Sequence, residues 1–191
     1  IPYTYDLVSQ KFKAPFGFYD YIVPGGDTTH FAKWTLITKE GLRYYFVQGV
    51  PGPVGERKAL LSAIADRNNN SITINREDVT GRITSVVDPT GRTDRRITFG
   101  YNANGYINEV KDNHPTLNRT WNFTYTGGDL TQITYPAPIL GGPLPTRSYT
   151  YDSYHNFMSE TDLRGKVWTL AHDSDGRLGS FREPGVYYSL P

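Results

Sequence analysis

The sequence contains no cysteine, almost no methionine and no excess of charge of either sign. Its 191 residues include 0 Cys and 1 Met, and 20 Lys and Arg face 19 Asp and Glu for a net charge of +1. The lack of cysteine excludes a disulfide framework, a thiolate nucleophile and a Cys-ligated zinc site. The even charge balance provides no basic face for duplex binding, so we expect no nucleic-acid partner. No run approaches the roughly 18 apolar residues of a membrane-spanning helix.

Aromatic residues, glycine and proline are abundant instead. The chain has 15 Tyr, 9 Phe and 3 Trp, which make 14% of its residues, beside 19 Gly and 13 Pro. Aromatic residues are enriched in strands, and Gly and Pro in tight turns. A hydrophobic share of 37% is sufficient for a folded chain and excludes disorder over the full length. The composition therefore predicts an all-β protein.

Six segments with the same apolar spacing recur along the chain. Each begins with an apolar residue and has a second one three places later, and the leading residues are Leu61, Ile83, Ile107, Leu130, Phe157 and Leu178. Successive leading residues are 22, 24, 23, 27 and 21 positions apart, a mean of about 23. This period predicts a repeat array of about six rows over residues 56–191.

A second type of segment fills the intervals between the rows. Residues 96–101, 119–125, 147–151 and 167–172 alternate large apolar with small polar side chains, which is typical of a strand buried on one face. Sequences rich in Gly, Asn and Asp follow, as tight hairpin turns require. The pattern predicts about 12–14 short antiparallel strands, consecutive in sequence, in one long curving sheet. Such a sheet has unpaired edges, so we expect a longer polypeptide or companion chains to complete it.

Three stretches need a separate interpretation. Residues 56–66 have the strongest helix propensity, but their place in the repeat favours a strand. Residues 1–48 do not keep the period and are predicted to be lead-in or capping strands of the same sheet, with strands at 34–38 and 42–46. The Pro/Gly-rich segments 49–55 and 136–145 are predicted loops. The abrupt start in strand-like sequence predicts a mature form or a piece of something longer.

Four strings within the array follow one pattern in register, Tyr-Asp-x-x-Gly-Arg-Leu followed by Asp-x-x-Gly. The repeat-signature positions are Gly81, Arg82, Asp88, Gly91, Tyr101, Gly105, Asp112, Tyr125, Tyr151, Asp152, Asp162, Gly165, Asp173, Gly176 and Arg177. These strings resemble the signature of Rhs/YD-repeat proteins. The chain departs from the signature at His155, where Gly is usual, so we expect a different turn there. Glu160 stands in an otherwise apolar column, and His172 occupies a repeat Tyr position.

The resemblance implies a hollow β-shell that encloses a C-terminal toxin, as in exported bacterial polymorphic toxins and insecticidal toxin complexes. The chain would then be part of the shell wall, secreted or at the bacterial cell surface, with the enclosed toxin domain as a partner. We expect no catalysis, no cofactor and no metal. The alternative is a cell-surface adhesion module that binds carbohydrate or protein through the sheet face.

Two residue sets are candidates for chemistry. The Asp column, Asp66, Asp88, Asp112 and Asp162, could bind cations, but we favour carboxylates that cap turns by accepting a hydrogen bond from the backbone two residues on. The aromatic set, which includes Trp121, could stack on sugars or single-stranded nucleic acid. We favour lateral packing, with Tyr101, Tyr125, Tyr149 and Tyr151 buried by neighbours in the same sheet. The four His form no close pair, so zinc binding and Ser-His catalysis lack support.

Overall fold

Every regular element in the described residues is a β-strand. A computed structural model describes residues 3–27, 30, 32–51, 57–90, 92, 94–117 and 119–189. The strands are β1 (Thr4–Asp6), β2 (Lys11–Lys13), β3 (Tyr21–Pro24), β4 (Trp34–Ile37), β5 (Arg43–Pro51), β6 (Arg57–Ala65), β7 (Ser71–Arg76), β8 (Ile83–Val87), β9 (Arg96–Tyr101), β10 (Ile107–Asp112), β11 (Thr120–Thr126), β12 (Asp129–Thr134), β13 (Thr146–Tyr151), β14 (Phe157–Thr161), β15 (Val167–His172), β16 (Leu178–Glu183) and β17 (Val186–Ser189). Within these ranges there is no helix that could cross a membrane.

The chain divides into two compact units, unit 1 at residues 1–98 and unit 2 at residues 99–191. Within unit 1, the strands from β1 to the start of β9 pair antiparallel in chain order. Within unit 2, the strands from β10 to β17 do the same. The predicted all-β class and the consecutive antiparallel order are confirmed. The division into a lead-in (1–48) and an array (56–191) stays a prediction.

The described residues form 17 strands rather than the predicted 12–14. Strands β1, β2 and β3 have only three, three and four residues, which is too short for alternation to show in the sequence. The predicted loop 49–55 is also shorter than expected, because β5 extends to Pro51; residues 52–56 lie outside the described ranges. Strand β5 approaches β6 so closely at Gly49 that a Cβ there would overlap the carbonyl oxygen of Lys58.

The stretch with high helix propensity is strand β6, as the repeat register predicted. Its register places Ala63 opposite Tyr45 and Ala65 opposite Arg43 on β5. Ala63 and Ala65 are buried together with Tyr45 and Ala32 in the small apolar core of unit 1. Small side chains on β6 leave room for the Tyr45 ring, which is 1% exposed. Tertiary packing therefore outweighs the helix propensity of these alanines.

A β-bulge recurs where a row begins. In five of the six rows the register between the row and the preceding strand shifts beside the leading residue of the row. The pairs next to the shifts are Phe46 with Leu61, Arg76 with Ile83, Tyr125 with Leu130, Tyr151 with Phe157, and His172 with Leu178. A bulge increases the local right-handed twist, so these five rows share a feature that adds twist to the sheet.

Candidate functional site: capped turns and the aromatic sheet face

The aspartates of the predicted column cap the turns that follow their strands. The Oδ1 atom of Asp162 accepts hydrogen bonds from the N–H of Arg164 at 2.8 Å and from the N–H of Lys166 at 2.9 Å. The same bond from the N–H two residues on is made to Asp66, Asp88, Asp112, Asp152 and Asp173. The carboxylates are thus engaged by the backbone of their own turns. Within the described ranges, no group of three or more His, Asp or Glu could hold a metal ion.

These hydrogen bonds stabilise the ionised carboxylates. The side-chain amide of Asn156 lowers the pKa of Asp152, and that of Asn70 lowers the pKa of Asp66. At Asp162 the pKa is lowered chiefly by the backbone N–H of Lys166. Hydrogen bonds to the charged form favour that form, so the turns are built to hold Asp in its ionised state.

The glycines of the signature occupy positions that require a positive φ. Gly105, Gly165 and Gly176 have φ of 84°, 74° and 76°, and the N–H of each donates to the carbonyl oxygen three residues back. Gly81, with φ of 71°, donates four residues back instead. Glycine adopts this conformation without steric cost, which accounts for its place in these turns. Gly91 lies outside the described residues.

The expectation of a different turn at His155 is wrong. His155 has φ of 66°, and its N–H donates to the carbonyl oxygen of Asp152 at 3.2 Å, as the glycines do in the neighbouring turns. Histidine is among the residues that tolerate the left-handed region. Its Nδ1 lies 2.8 Å from Oδ2 of Asp129 on the preceding hairpin, a contact that glycine cannot make and that offsets the strain.

The signature arginines lie directly after the turn glycines. The N–H of Arg177 donates to Oδ1 of Asp173 at 2.9 Å, and its Nη1 donates to Asp175 at 3.1 Å. The N–H of Arg82 donates to Oγ1 of Thr80 at 3.2 Å. These contacts are local to the turns. The assignment of the fifteen positions as a repeat signature stays a prediction.

The tyrosines make a contact that the sequence did not reveal. The hydroxyl of Tyr125 donates to the carbonyl oxygen of Ile107 at 2.9 Å, and that of Tyr151 to the carbonyl oxygen of Leu130 at 3.0 Å. Both acceptors are leading residues of rows. Burial raises the pKa of both tyrosines, so the hydroxyls keep the protons of these bonds to a higher pH than a free tyrosine does. Each tyrosine therefore ties the end of one strand to the start of the preceding one.

The aromatic rings of unit 2 pack laterally on rings of the same sheet. Tyr106 and Tyr125 stack with ring centroids 5.0 Å apart, and Tyr151 meets Phe157 edge-on at 5.8 Å. Tyr149 lies 6.0 Å from the Phe157 ring. Tyr101 and these tyrosines are half-buried, with the exception of Tyr106, which is more exposed. The predicted lateral contacts are present, although the rings remain wetter than expected.

Two polar side chains in the described part of this sheet have a buried nitrogen atom that makes no hydrogen bond. Nε of Arg147 has no hydrogen bond but lies 3.2 Å from a carboxylate oxygen of Glu160, which places a charge partner beside the unexpected Glu of the apolar column. The Nδ1 atom of His172 is buried and has no hydrogen-bond partner. His172 occupies the bulge position that Tyr151 occupies in the previous repeat, where the tyrosine hydroxyl reaches a carbonyl.

Unit 1 contains a polar cluster that the sequence did not predict. The His30 ring stacks on the Tyr45 ring with centroids 4.3 Å apart, and its Nδ1 lies 3.1 Å from Oδ1 of Asp27. The Tyr45 hydroxyl donates to Oδ2 of the same carboxylate. Burial, followed by this hydrogen bond, raises the pKa of Tyr45 to about 12. The cluster holds the segment between β3 and β4 against β5.

Comparison with known proteins shows similarity in fold and not in sequence. No protein-family model matches the chain, and no curated protein matches it. The solved pore structure of the Photorhabdus luminescens Tc holotoxin matches with a TM-score of 0.57 and 13% identity, over 89% of this chain and 9% of that chain. A crystal structure of TcdB2-TccC3 without its hypervariable C-terminal region matches with a TM-score of 0.41 and 11% identity, over 89% and 10%. The chain thus spans about a tenth of the solved chains, and it shares its fold with part of the Tc holotoxin pore.

Proposed function

We propose that this chain is a non-catalytic wall segment of an Rhs/YD-repeat shell that encapsulates a C-terminal toxin in an exported bacterial protein. The observation that carries the proposal is the absence of buried residues in unit 2: among its described residues up to Gly185, none falls in the buried class, although its sheet is rich in large rings. A globular sheet covers such a face with a second layer. A wall one sheet thick has no second layer, so only lateral packing of its side chains can exclude water from the backbone hydrogen bonds. The fold shared with part of the Tc holotoxin pore supports this role.

The arrangement suits a wall in a second way. Along β11 the half-buried residues Trp121, Phe123 and Tyr125 alternate with exposed Asn122 and Thr124, so the sheet has one aromatic and one polar face. The turns are closed by their own aspartates, so they need no neighbouring domain to satisfy the backbone. The partners of such a segment are the rest of a larger polypeptide or companion chains, and the enclosed toxin domain.

Protease protection in the native, longer polypeptide tests the proposal. We expect the segment that follows the repeats to resist a protease that cleaves it readily once the polypeptide is unfolded. The wall is opened by Thr150→Pro in β13, because proline removes a backbone donor from the sheet ladder. The control is Thr150→Val, which keeps the N–H and suits a strand.

Three outcomes decide the question. Cargo that is protected in the native polypeptide and in Thr150→Val, and is cleaved in Thr150→Pro, supports encapsulation. Cargo that is cleaved equally in all three overturns it. A catalytic activity that maps to residues 1–191 would overturn the non-catalytic part of the proposal while leaving the wall intact.

The adhesion module is the second candidate, and one hollow in unit 2 favours it. Tyr154 is 83% exposed beside a hollow of about 680 Å³, which is also lined by Asp152, Asn156, His172 and Asp173. An exposed ring beside carboxylates and an amide is the chemistry that recognises a sugar. Binding of the chain to a glycan array, lost in Tyr154→Ala and kept in Val79→Ala, would favour adhesion over the wall; Val79 is equally exposed in unit 1.

A further inference from the structure

Three connections of unit 2 carry exposed aliphatic side chains at one end of its strands. The β10–β11 connection contributes Leu117, which is 57% exposed, and the β14–β15 connection contributes Leu163. Between them, the β12–β13 loop presents Ile139 at 75% and Leu140 at 94% exposure. Alternate connections of an antiparallel meander emerge at the same end, so these side chains share one edge of the sheet. Clusters of exposed large apolar residues mark interaction sites.

A hollow of about 920 Å³ lies among these connections. It is large enough for several aliphatic side chains of a ligand. Its apolar lining comes from all three connections and from the strands beside them, and includes Leu117, Trp121, Tyr135, Leu140, Leu144 and Leu163.

The side chains near this hollow carry an excess of positive charge. No charged residue occurs in the β12–β13 loop from Tyr135 to Pro145. Arg119, which lines the hollow, is paired with Asp112. The chain that follows the lining residue Leu163 carries the exposed side chains of Arg164 and Lys166, for which the structure shows no ion pair within the described ranges. The nearby carboxylate of Asp162 is engaged by the backbone N–H groups of these two residues. The rim is therefore complementary to a partner with carboxylates.

Backbone donors distinguish a protein partner from a lipid. Four of the ten residues 136–145 are prolines and have no N–H. The N–H of Gly142 donates to the carbonyl oxygen of Ile139 at 2.9 Å. Within the described residues, the N–H groups of Ile139, Leu140 and Leu144 make no hydrogen bond. Hydrocarbon offers no acceptor for such groups, whereas the carbonyl oxygens of a polypeptide do. The loop tip is thus better suited to a protein segment than to a bilayer.

We propose that this end of unit 2 binds a protein segment in which aliphatic side chains are flanked by carboxylates. The aliphatic side chains enter the hollow beside Trp121 and Leu140, and the carboxylates pair with Arg164 and Lys166. The carbonyl oxygens of the segment accept hydrogen bonds from the loop tip. The proposal goes beyond the wall role, which needs no ligand at this end.

Titration of the chain with labelled synthetic peptides, read by fluorescence anisotropy, tests the proposal. The probes are a short peptide of alternating Leu and Asp, the same peptide with Asn for Asp, and the same peptide with Lys for Asp. We expect the Asp peptide to bind most tightly, the Asn peptide to bind roughly fivefold to tenfold more weakly because two exposed ion pairs are lost, and the Lys peptide to bind more weakly still.

Variants of the chain assign the binding to this surface. Leu140→Ser with Leu144→Ser should abolish binding, and Arg164→Gln with Lys166→Gln should lower the affinity for the Asp peptide to that for the Asn peptide. Val79→Ser, in an exposed turn of unit 1, is the matched control and should bind as the parent does. All these positions are exposed, so an unchanged circular dichroism melt shows that each variant is folded.

The proposal is overturned by any of three results. The first is that the Asp peptide fails to bind up to millimolar concentration. The second is that the Leu140 and Leu144 double variant binds it as well as Val79→Ser does. The third is that the chain sediments with phosphatidylcholine–phosphatidylglycerol vesicles through Leu140 and Leu144 while ignoring the peptides, which identifies the loop as a membrane contact.

Discussion

Unit 1 and unit 2 pair their strands in the same way but protect them from water differently. In unit 1 the segment that carries His30 and Ala32 packs on Tyr45, which is 1% exposed. In unit 2 no described residue up to Gly185 is buried, and half-buried rings pack on rings of the same sheet. A covering segment thus shields the strands from water in unit 1, and lateral aromatic packing shields them in unit 2. Lateral packing depends only on neighbours in the repeat and can be extended by adding repeats.

Removal of the Tyr45 ring should have the largest effect on stability, because it removes the side chain on which the covering segment of unit 1 packs. Tyr45→Ala leaves a cavity beneath the covering segment and should lower the free energy of unfolding by about 3–5 kcal/mol. Denaturant unfolding measures the loss, and hydrogen exchange should locate it in unit 1. Tyr45→Phe is the control: it loses only the hydroxyl that donates to Asp27, about 1–2 kcal/mol. Equal loss of protection in both units would contradict the comparison.

Removal of Trp121 tests whether lateral packing of aromatic rings protects the sheet of unit 2. Trp121→Ala should lower the free energy of unfolding by roughly 3 kcal/mol, because a large half-buried ring is lost from the aromatic face. The increase in hydrogen exchange should be confined to β10, β11 and β12. Asn122→Ala changes the opposite, exposed face at the next position and should stay within about 0.5 kcal/mol. If Trp121→Ala were as mild as Asn122→Ala, the rings would not protect the sheet.

Acid should weaken both units, because capped turns are the device they share. The pKa values of Asp66 and Asp88 in unit 1 and of Asp112, Asp152 and Asp162 in unit 2 are lowered by hydrogen bonds. A carboxyl whose folded pKa is lowered adds stability above its unfolded pKa of about 3.9, and that stability is lost as the pH falls through the folded pKa. The melting temperature should therefore hold from pH 7 to about pH 5 and fall below about pH 4.

A single turn can be made partly insensitive to acid. Asp152→Asn keeps an oxygen that accepts the N–H bonds of its turn but cannot be protonated in this range. Its melting temperature should be lower than that of the parent at neutral pH and should fall less steeply in acid. A parallel shift of the two pH profiles would show that Asp152 does not contribute to the acid response.

Changes to the tyrosine hydroxyls of unit 2 should have the smallest effects on stability, because each change adds or removes a single hydrogen bond. Tyr151→Phe should cost about 1 kcal/mol, because the carbonyl oxygen of Leu130 loses its donor. His172→Tyr should add about 1 kcal/mol, because a tyrosine at this bulge can reach the carbonyl oxygen of Phe157, the leading residue of the neighbouring row. Urea unfolding of both variants measures the difference. A destabilised His172→Tyr variant would mean that this bulge differs from that at Tyr151.

The sequence predicted those features that repeat within a few residues. Alternation located β11 and β15, the period overruled the helix propensity of β6, and the place of Asp162 before its turn predicted the cap. Features that depend on distant contacts had no such signal. The packing of His30 on Tyr45 joins residues 15 positions apart in a region without a period. Strand β1 is too short to alternate, and a bulge leaves only one extra residue in its strand.

The recurring bulge has a consequence for how the chain tolerates changes in length. A slip of one residue turns every side chain of a strand to the opposite face. At the rows that begin with Leu130, Phe157 and Leu178, however, the register shift falls at the same place, beside the leading residue of the row. Deletion or duplication of a whole row would therefore leave all remaining strand contacts of the same kind, whereas deletion of one residue within a strand would not. The chain can therefore change its length by whole rows. The long β12–β13 loop shows that residues can also be added between strands without changing the strand pairing.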